Sequence, residues 1–485
     1  MRWTRLPLLL FIACAALVAR AQALGYEDAR HLLNRTGFGA TDAEVRDFAA
    51  LTREEAVDRL LGGARRESVT PPPLFVDEPI VPYRRIREMP AEERMAFRRT
   101  LVQQGLQLRA WWIGEMLATP SPLTERMTLF WHSHFATSQR KVRFSQLMYR
   151  QNALLRRESL GNFATLLHAM AKDPAMLVWL DNARSRREAP NENFAREVME
   201  LFTLGEGHYG ERDVKEAARA FTGWSLRPAS ASFVYRPMWH DGGEKTVLGA
   251  TGALDGDEVL DLLLARPETA QHLARKLWLE FVSPTPDEVE VARWARTFRA
   301  ARYEIKPLMR EILLSPAFWA RENRGALVKS PVDVVVGTLH TFSIHPADLR
   351  PAAVTSALLG QNLFAPPNVK GWPGGDAWID SATLLGRRQF AERVFRGSQE
   401  SMTKDAPRTA EEGDMAAAKP GAGPRAMLGR GLGSYAFNGT SWQGPLAAPG
   451  RLDALVLPIA PATPPRAEGI ERLERLVADP AYQLR

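Results

Sequence analysis

The chain has 485 residues, 45% of them apolar and 25% charged, with a formal net charge of +7. That length and balance give a globular protein with a sizeable core, and exclude a charge-rich disordered chain or a small disulfide-stapled scaffold. The single cysteine, Cys14, stands near the N-terminus, so a chain trimmed of its leader has no thiolate nucleophile, disulfide or cysteine zinc site.

Arg2 and Arg5 precede the apolar run Leu6 to Val18, and Ala21-Gln22-Ala23 supplies the small-x-small pattern of a cleavage site. These features predict a secretory signal over residues 1–23, cut near Ala23, and a mature protein exported to the periplasm or beyond. The run is short for a membrane span, and no later stretch approaches about 20 apolar residues. Arg2, Arg5 and Arg20 leave with the signal, so the net charge falls from +7 to +4. The remaining arginines gather at Arg84, Arg85, Arg87, Arg98 and Arg99, and again from Arg140 to Arg157. Acids alternate with these clusters, which reads as a solvated helical surface and not as a nucleic-acid face.

From Leu24 the apolar positions recur at helical intervals, with a turn at Arg35-Thr36-Gly37-Phe38-Gly39 and Thr41 as an N-cap. Ser121-Pro122 starts another helix carrying Phe130-Trp131-His132-Ser133-His134. At 100° per residue, Leu123, Met127, Phe130, Trp131 and His134 share an arc and His132 falls about 160° away. A regular helix therefore splits His132 from His134, with His134 the buried one. A lone buried imidazole is expected to bond a backbone carbonyl or a carboxylate.

The stretch Pro190 to Trp224 reads as two helices around a glycine-containing turn. On the first, Glu192, Asn193, Arg196, Glu197, Glu200 and Thr203 occupy one arc of about 140°, and Phe194, Ala195, Val198, Met199, Leu201 and Phe202 the opposite one. Glu192, Arg196 and Glu200 suit a surface ladder of ion pairs. Alternatively the arc lines a cleft, with Glu197 and Glu200 as acid, base or cation ligands and Arg196 orienting one of them. Residues 232–249 resemble a hairpin with an Asp241-Gly242 turn, which makes His240-Asp241 a second polar centre or simply its flank. The segment from Gly360 to Gly375, with its prolines and glycines, is a shaped loop. Its Trp372 and the following Trp378 either stack on a ligand beside Lys370 or plug the loop into the core. Residues 397–465, rich in Ala, Gly and Pro, read as a flexible insertion, and 466–485 as a C-terminal helix returning to the domain.

Several of these segments resemble, in order, the bacterial family known as domain of unknown function 1800. They are His31 to Gly39, Phe130 to Phe135, Asn191 to Gly205, Asp213 to Trp224, His240-Asp241 with Lys245 and Leu248-Gly249, and Pro366 to Trp378. The resemblance spans Leu24 to about Val394 plus the C-terminal helix. Gly210 departs from it, standing where members commonly have Thr or Ser. The resemblance carries no settled activity; it implies an exported protein whose gene neighbours often resemble secreted sulfatases or phosphatases, and hence such a partner.

The expected fold is mainly α, a single large multi-helical domain over 24–396 with one small β-hairpin. The leading functional expectation is an exported hydrolase-like enzyme acting on an extracellular or envelope substrate. Its catalytic set is Glu197, Glu200, Arg196, His240 and Asp241, around a divalent metal on His132, His134 and Glu200. The alternative is a non-catalytic envelope scaffold or binding protein using the loop of Lys370, Trp372 and Trp378.

Overall fold

The computed structural model describes residues 22–402 apart from Ala229, together with Tyr435 and residues 437–485. Residues 1–21 of the expected signal, and 403–434 and 436 of the expected insertion, lie outside the described residues.

Three short helices open the chain: α1 (Tyr26–Thr36), α2 (Asp42–Ala49) and α3 (Arg53–Gly62). Thr41 and Glu44 close a reciprocal capping box, with the Glu44 amide donating to Thr41 Oγ1 at 3.3 Å and the Thr41 amide to the Glu44 carboxylate at 2.7 Å. After α4 (Tyr83–Glu88) comes the 28-residue α5 (Ala91–Ala118). Its first half is largely exposed, and its second half enters the core with Leu108, Trp112, Ile113 and Met116.

Helix α6 (Pro122–His134) runs through the centre, and every side chain from Leu123 to His132 is buried. A helix covered on all sides has no solvent arc, so the wheel's separation of His132 from His134 holds in direction but not in exposure: both are buried. Its acid, Glu125, is held by Arg156 of α7 (Ser145–Arg157) through bonds of 2.5 and 2.9 Å, and by the Trp112 indole at 2.8 Å. One fully buried carboxylate thereby ties α5, α6 and α7, at a geometry that satisfies both charges.

Then follow α8 (Phe163–Ala171), α9 (Pro174–Trp179), α10 (Glu192–Met199) and α11 (Glu211–Ala220). Phe194, Ala195, Val198 and Met199 bury the apolar face of α10 as its periodicity predicts. Two small antiparallel pairs come next: β1 (Trp224–Leu226) with β2 (Phe233–Tyr235), and β3 (Lys245–Val247) with β4 (Ala250–Gly252). The predominantly helical class holds, but the tight turn is at Leu248-Gly249 rather than Asp241-Gly242. Both turn residues have positive φ, 51° and 86°, which the short connection between β3 and β4 requires.

Helices α12 (Gly256–Ala265), α13 (Pro267–Phe281), α14 (Glu288–Ala300), α15 (Ile305–Leu314), α16 (Pro316–Trp319), α17 (Pro331–Thr341), α18 (Arg350–Leu358) and α19 (Ser381–Met402) complete the first body of the fold. The described part of the expected insertion is folded. Its helix α20 (Pro449–Val456) packs on α21 (Gly469–Ala478), and Tyr435, Phe437 and Trp442 are buried. Phe437 and Trp442 close on Phe342 and Phe395, with ring centroids 4.8 Å apart for Phe342 and Trp442 and 5.3 Å for Phe395 and Phe437. Three aromatic anchors outweigh the Ala/Gly/Pro composition around them. The last residues lie against residues 327 and 328: Leu484 pairs with Val328, and the Arg485 amide donates to Leu327 O at 2.8 Å. No described helix is long and apolar enough to cross a membrane.

Candidate functional site

The turn Arg35 to Gly39 is wedged between α6 and α17. Arg35 donates to the carbonyls of Phe281 and Val282 at 3.2 and 3.0 Å and of Asn323 at 2.5 Å. The Phe38 ring lies 4.2 Å under the Arg126 guanidinium, and Gly37 O accepts from Arg126. This turn thereby fixes Arg126 at the end of a cleft of about 470 Å³.

Four ionised groups compensate one another at that end. Arg126 of α6 pairs with Asp333 of α17, and its other terminal nitrogen stands 3.6 Å from Glu280 of α13. Arg485 bonds Glu280 at 2.7 Å and approaches Asp333 at 3.6 Å. Burial by itself would raise the Asp333 carboxyl, but Arg126 and Arg485 hold it well below the ordinary carboxylate range.

The opposite wall is the loop from Gly360 to Trp378. Gly371 has φ +85° and lies directly on α6, where an added Cβ would stand 2.5 Å from Ser133 O. Only a glycine allows that approach. It brings Trp372 against His132, which is boxed by Trp112, Phe364 and Trp372 at centroid distances of 5.4, 5.5 and 5.4 Å. Burial pushes His132 down to about 3, so its ring is neutral at physiological pH. Trp372 and Trp378 are both buried, and so plug the loop while still lining the cleft; Lys370 is exposed at its rim.

His134 has the backbone-bonded role expected of a core imidazole. Beyond α10 the chain makes a wider π turn, Glu200–Leu204, in which Thr203 Oγ1 donates to Val198 O five residues back at 2.7 Å. The carbonyls at its end are met by two imidazoles: His134 Nε2 donates to Phe202 O at 3.3 Å, and His272 Nε2 of α13 to Leu201 O at 3.2 Å. Both rings then carry the proton on Nε2, and His134 Nδ1 is left with a lone pair that no described residue meets. Burial, then the Lys276 charge, keeps His134 well below its ordinary value and brings His272 to about 4.

Lys276, one turn beyond His272, enters the cleft half-buried. It has no hydrogen bond or ion pair among the described residues, and burial pushes its ammonium down to about 8.

The carboxylates singled out on α10 divide. Glu197 is half-buried, and burial followed by the neighbouring Glu200 raises its pKa, with Lys370 pulling it back. Glu200 accepts from the Tyr209 hydroxyl. Arg196 does not orient either acid: it forms a bidentate pair with Glu211 of α11, 2.8 Å on both arms, in the manner of a surface clamp. His240 and Asp241 are also engaged elsewhere. The His240 Nδ1 lies 3.0 Å from Thr222 O, and Asp241 is held by Arg219 at 2.7 and 3.2 Å. The set His132, His134 and Glu200 does not converge, because one ring is boxed by aromatics and the other turned to a carbonyl. Among the described residues no three His, Cys, Asp or Glu side chains are placed to share a metal ion.

The pieces that build this cleft include segments on which the family resemblance rests: the Arg35 to Gly39 turn, the His132 to His134 segment and the loop to Trp378. A family profile, "Protein of unknown function (DUF1800)", matches residues 31–477. The chain belongs to the DUF1800 family. No curated protein and no solved structure matches it. Within this DUF1800 chain, sequence reasoning missed Arg126, Lys276, Glu280, Asp333 and Arg485. Lys276 and Glu280 carry a weak signal, four residues apart on the polar side of an amphipathic helix. Nothing in the local sequence marks the other three.

Proposed function

We propose that this DUF1800 chain is an exported binding protein whose cleft receives an anionic ligand with an apolar or ring-bearing body. The observation that carries this reading is Lys276, a half-buried ammonium with no partner in the described residues. A charge withdrawn from water without a counter-ion is costly, so the site is stabilised by whatever anion enters. Lys370 adds a second positive charge at the rim, Ser133 and Gln361 offer neutral polar contacts, and Phe130, Trp372 and Trp378 supply apolar wall. This is the usual make-up of a small-molecule site, mainly apolar with a few convergent polar groups.

A hydrolase reading draws on the same lysine, whose ammonium burial pushes down to about 8. An amine titrating near neutrality, set in a cleft, suits a general base. This version uses no metal.

Para-nitrophenyl phosphate and para-nitrophenyl sulfate test both readings, since each reports binding by thermal shift and hydrolysis by released nitrophenolate. The binding reading expects a ligand-dependent rise in Tm that Lys276→Met abolishes and Asp241→Asn preserves, without nitrophenolate release. A rise unchanged in Lys276→Met contradicts it. Turnover lost in Lys276→Met supports the enzyme reading instead.

A further inference from the structure

One arginine of the first sequence cluster, Arg98, and two of the second, Arg140 and Arg143, line the same groove. Helix α5 forms one wall of a second, open groove of about 500 Å³, through Arg98, Leu101 and Val102 and, deeper, Arg109. The turn after α6 forms the facing wall with Arg140 and Arg143. Among the described residues lining this groove none is acidic and none aromatic. The acids that dilute each cluster along the chain therefore point elsewhere.

The groove is built on a fixed floor. Arg109 Nε donates to Leu363 O at 3.2 Å and its Nη2 to Gln139 Oε1 at 3.1 Å, while Gln139 Nε2 donates to Ser145 Oγ at 2.8 Å. Arg98, Arg140 and Arg143 are exposed, and their side chains have no hydrogen bond or ion pair among the described residues. Met95, Arg98, Arg99 and Val102 follow one another at helical spacing on a single stripe, with Met95 51% and Val102 73% exposed.

We infer that this groove is a docking site for an acidic segment of a partner polypeptide, one presenting carboxylates around an apolar side chain. Guanidiniums pair bidentately with carboxylates, and Arg and Met beside exposed aliphatic carbons are the composition of a protein interface. A single-stranded nucleic acid would call for aromatic platforms to stack its bases. The lining has no such ring. The site is separate from the cleft and does not depend on its ligand.

The test uses the full chain and a fluorescent synthetic peptide of Glu-Leu-Glu-Glu-Leu repeats, followed by anisotropy at low and moderate salt. Saturable, salt-sensitive binding is expected. It should weaken about tenfold in Arg98→Gln and in Arg143→Gln, the cost of one lost charge-assisted contact. It should stay unchanged in Arg84→Gln, whose arginine pairs with Glu88 at 2.9 Å outside the groove. The two groove variants lie on different elements, so a folding defect in one leaves the other to decide. Absence of binding, an equal loss in Arg84→Gln, or tighter binding of a sulfated glycan or of phosphatidylglycerol vesicles than of the peptide would overturn the assignment.

Discussion

At one end of the cleft Arg126, Arg485, Asp333 and Glu280 neutralise one another, whereas further along Lys276 and Lys370 have no carboxylate bonded to them among the described residues. The two arrangements lie along one surface and are built from the same kinds of side chain. Their difference separates charge used to hold helices together from charge left available to a ligand. A compensated network resists the loss of any member, because the partner left behind is a buried, unpaired ion. An uncompensated lysine does the reverse: its removal relieves the fold and disables the site.

Breaking the compensated end should have the largest effect. Asp333→Ala leaves Arg126 without its counter-charge and should cost about 3–5 kcal/mol in urea unfolding. The same carboxyl contributes to the acid limb of the stability profile. Its folded pKa is depressed, so its contribution is complete above the ordinary carboxylate value and declines as pH falls below about 4. Asp333→Asn should flatten that decline.

Gly371→Ala comes next, at about 1–3 kcal/mol, because the residue has positive φ and its new Cβ meets Ser133 O. A changed near-ultraviolet signal from the Trp372 and His132 contact would accompany the loss; an unchanged spectrum with full stability would mean that the loop does not rest on α6 as described.

Lys276→Met sharpens the comparison by changing sign. The substitution should stabilise by about 1–2 kcal/mol at pH 7. Between about 8 and 10.5 the unfolded chain binds more protons at this lysine than the folded one, so the wild type gains stability as pH rises through that window. The variant should lack the gain. The smallest effect belongs to Arg196→Ala, below about 1 kcal/mol, since its pair with Glu211 is solvent-exposed. Ligand-dependent Tm shifts should survive it.

The helices were legible because their apolar positions repeat at the helical period, as Phe194, Ala195, Val198 and Met199 do on α10. So was the role of His134, whose single strong constraint is a nearby backbone carbonyl. Three things were hidden. A wheel presumes a solvent side, and α6 has none, so it separated His132 from His134 but did not show that His132 is buried as well. Average composition concealed Tyr435, Phe437 and Trp442, which bring the chain back to the core. The mutually paired charges of the cleft come from α6, α13, α17 and the last residue, and no local pattern announces a pairing of Arg126 with Asp333 or of Arg485 with Glu280. Arg196 and Asp241 misled for the converse reason: their sequence neighbours looked like site partners, yet Glu211 and Arg219 had already taken them.

The most direct test of the cleft is a pH titration of the side-chain nitrogens in isotope-labelled lysine, read by NMR with and without para-nitrophenyl phosphate. One resonance, absent from Lys276→Met, should titrate near 8 and move to higher pH when the anion is bound, because an opposite charge favours the ammonium. If every lysine with a partner-free ammonium titrates at the ordinary value and none responds to the anion, Lys276 is a solvated surface group and the cleft is not an anion receptor.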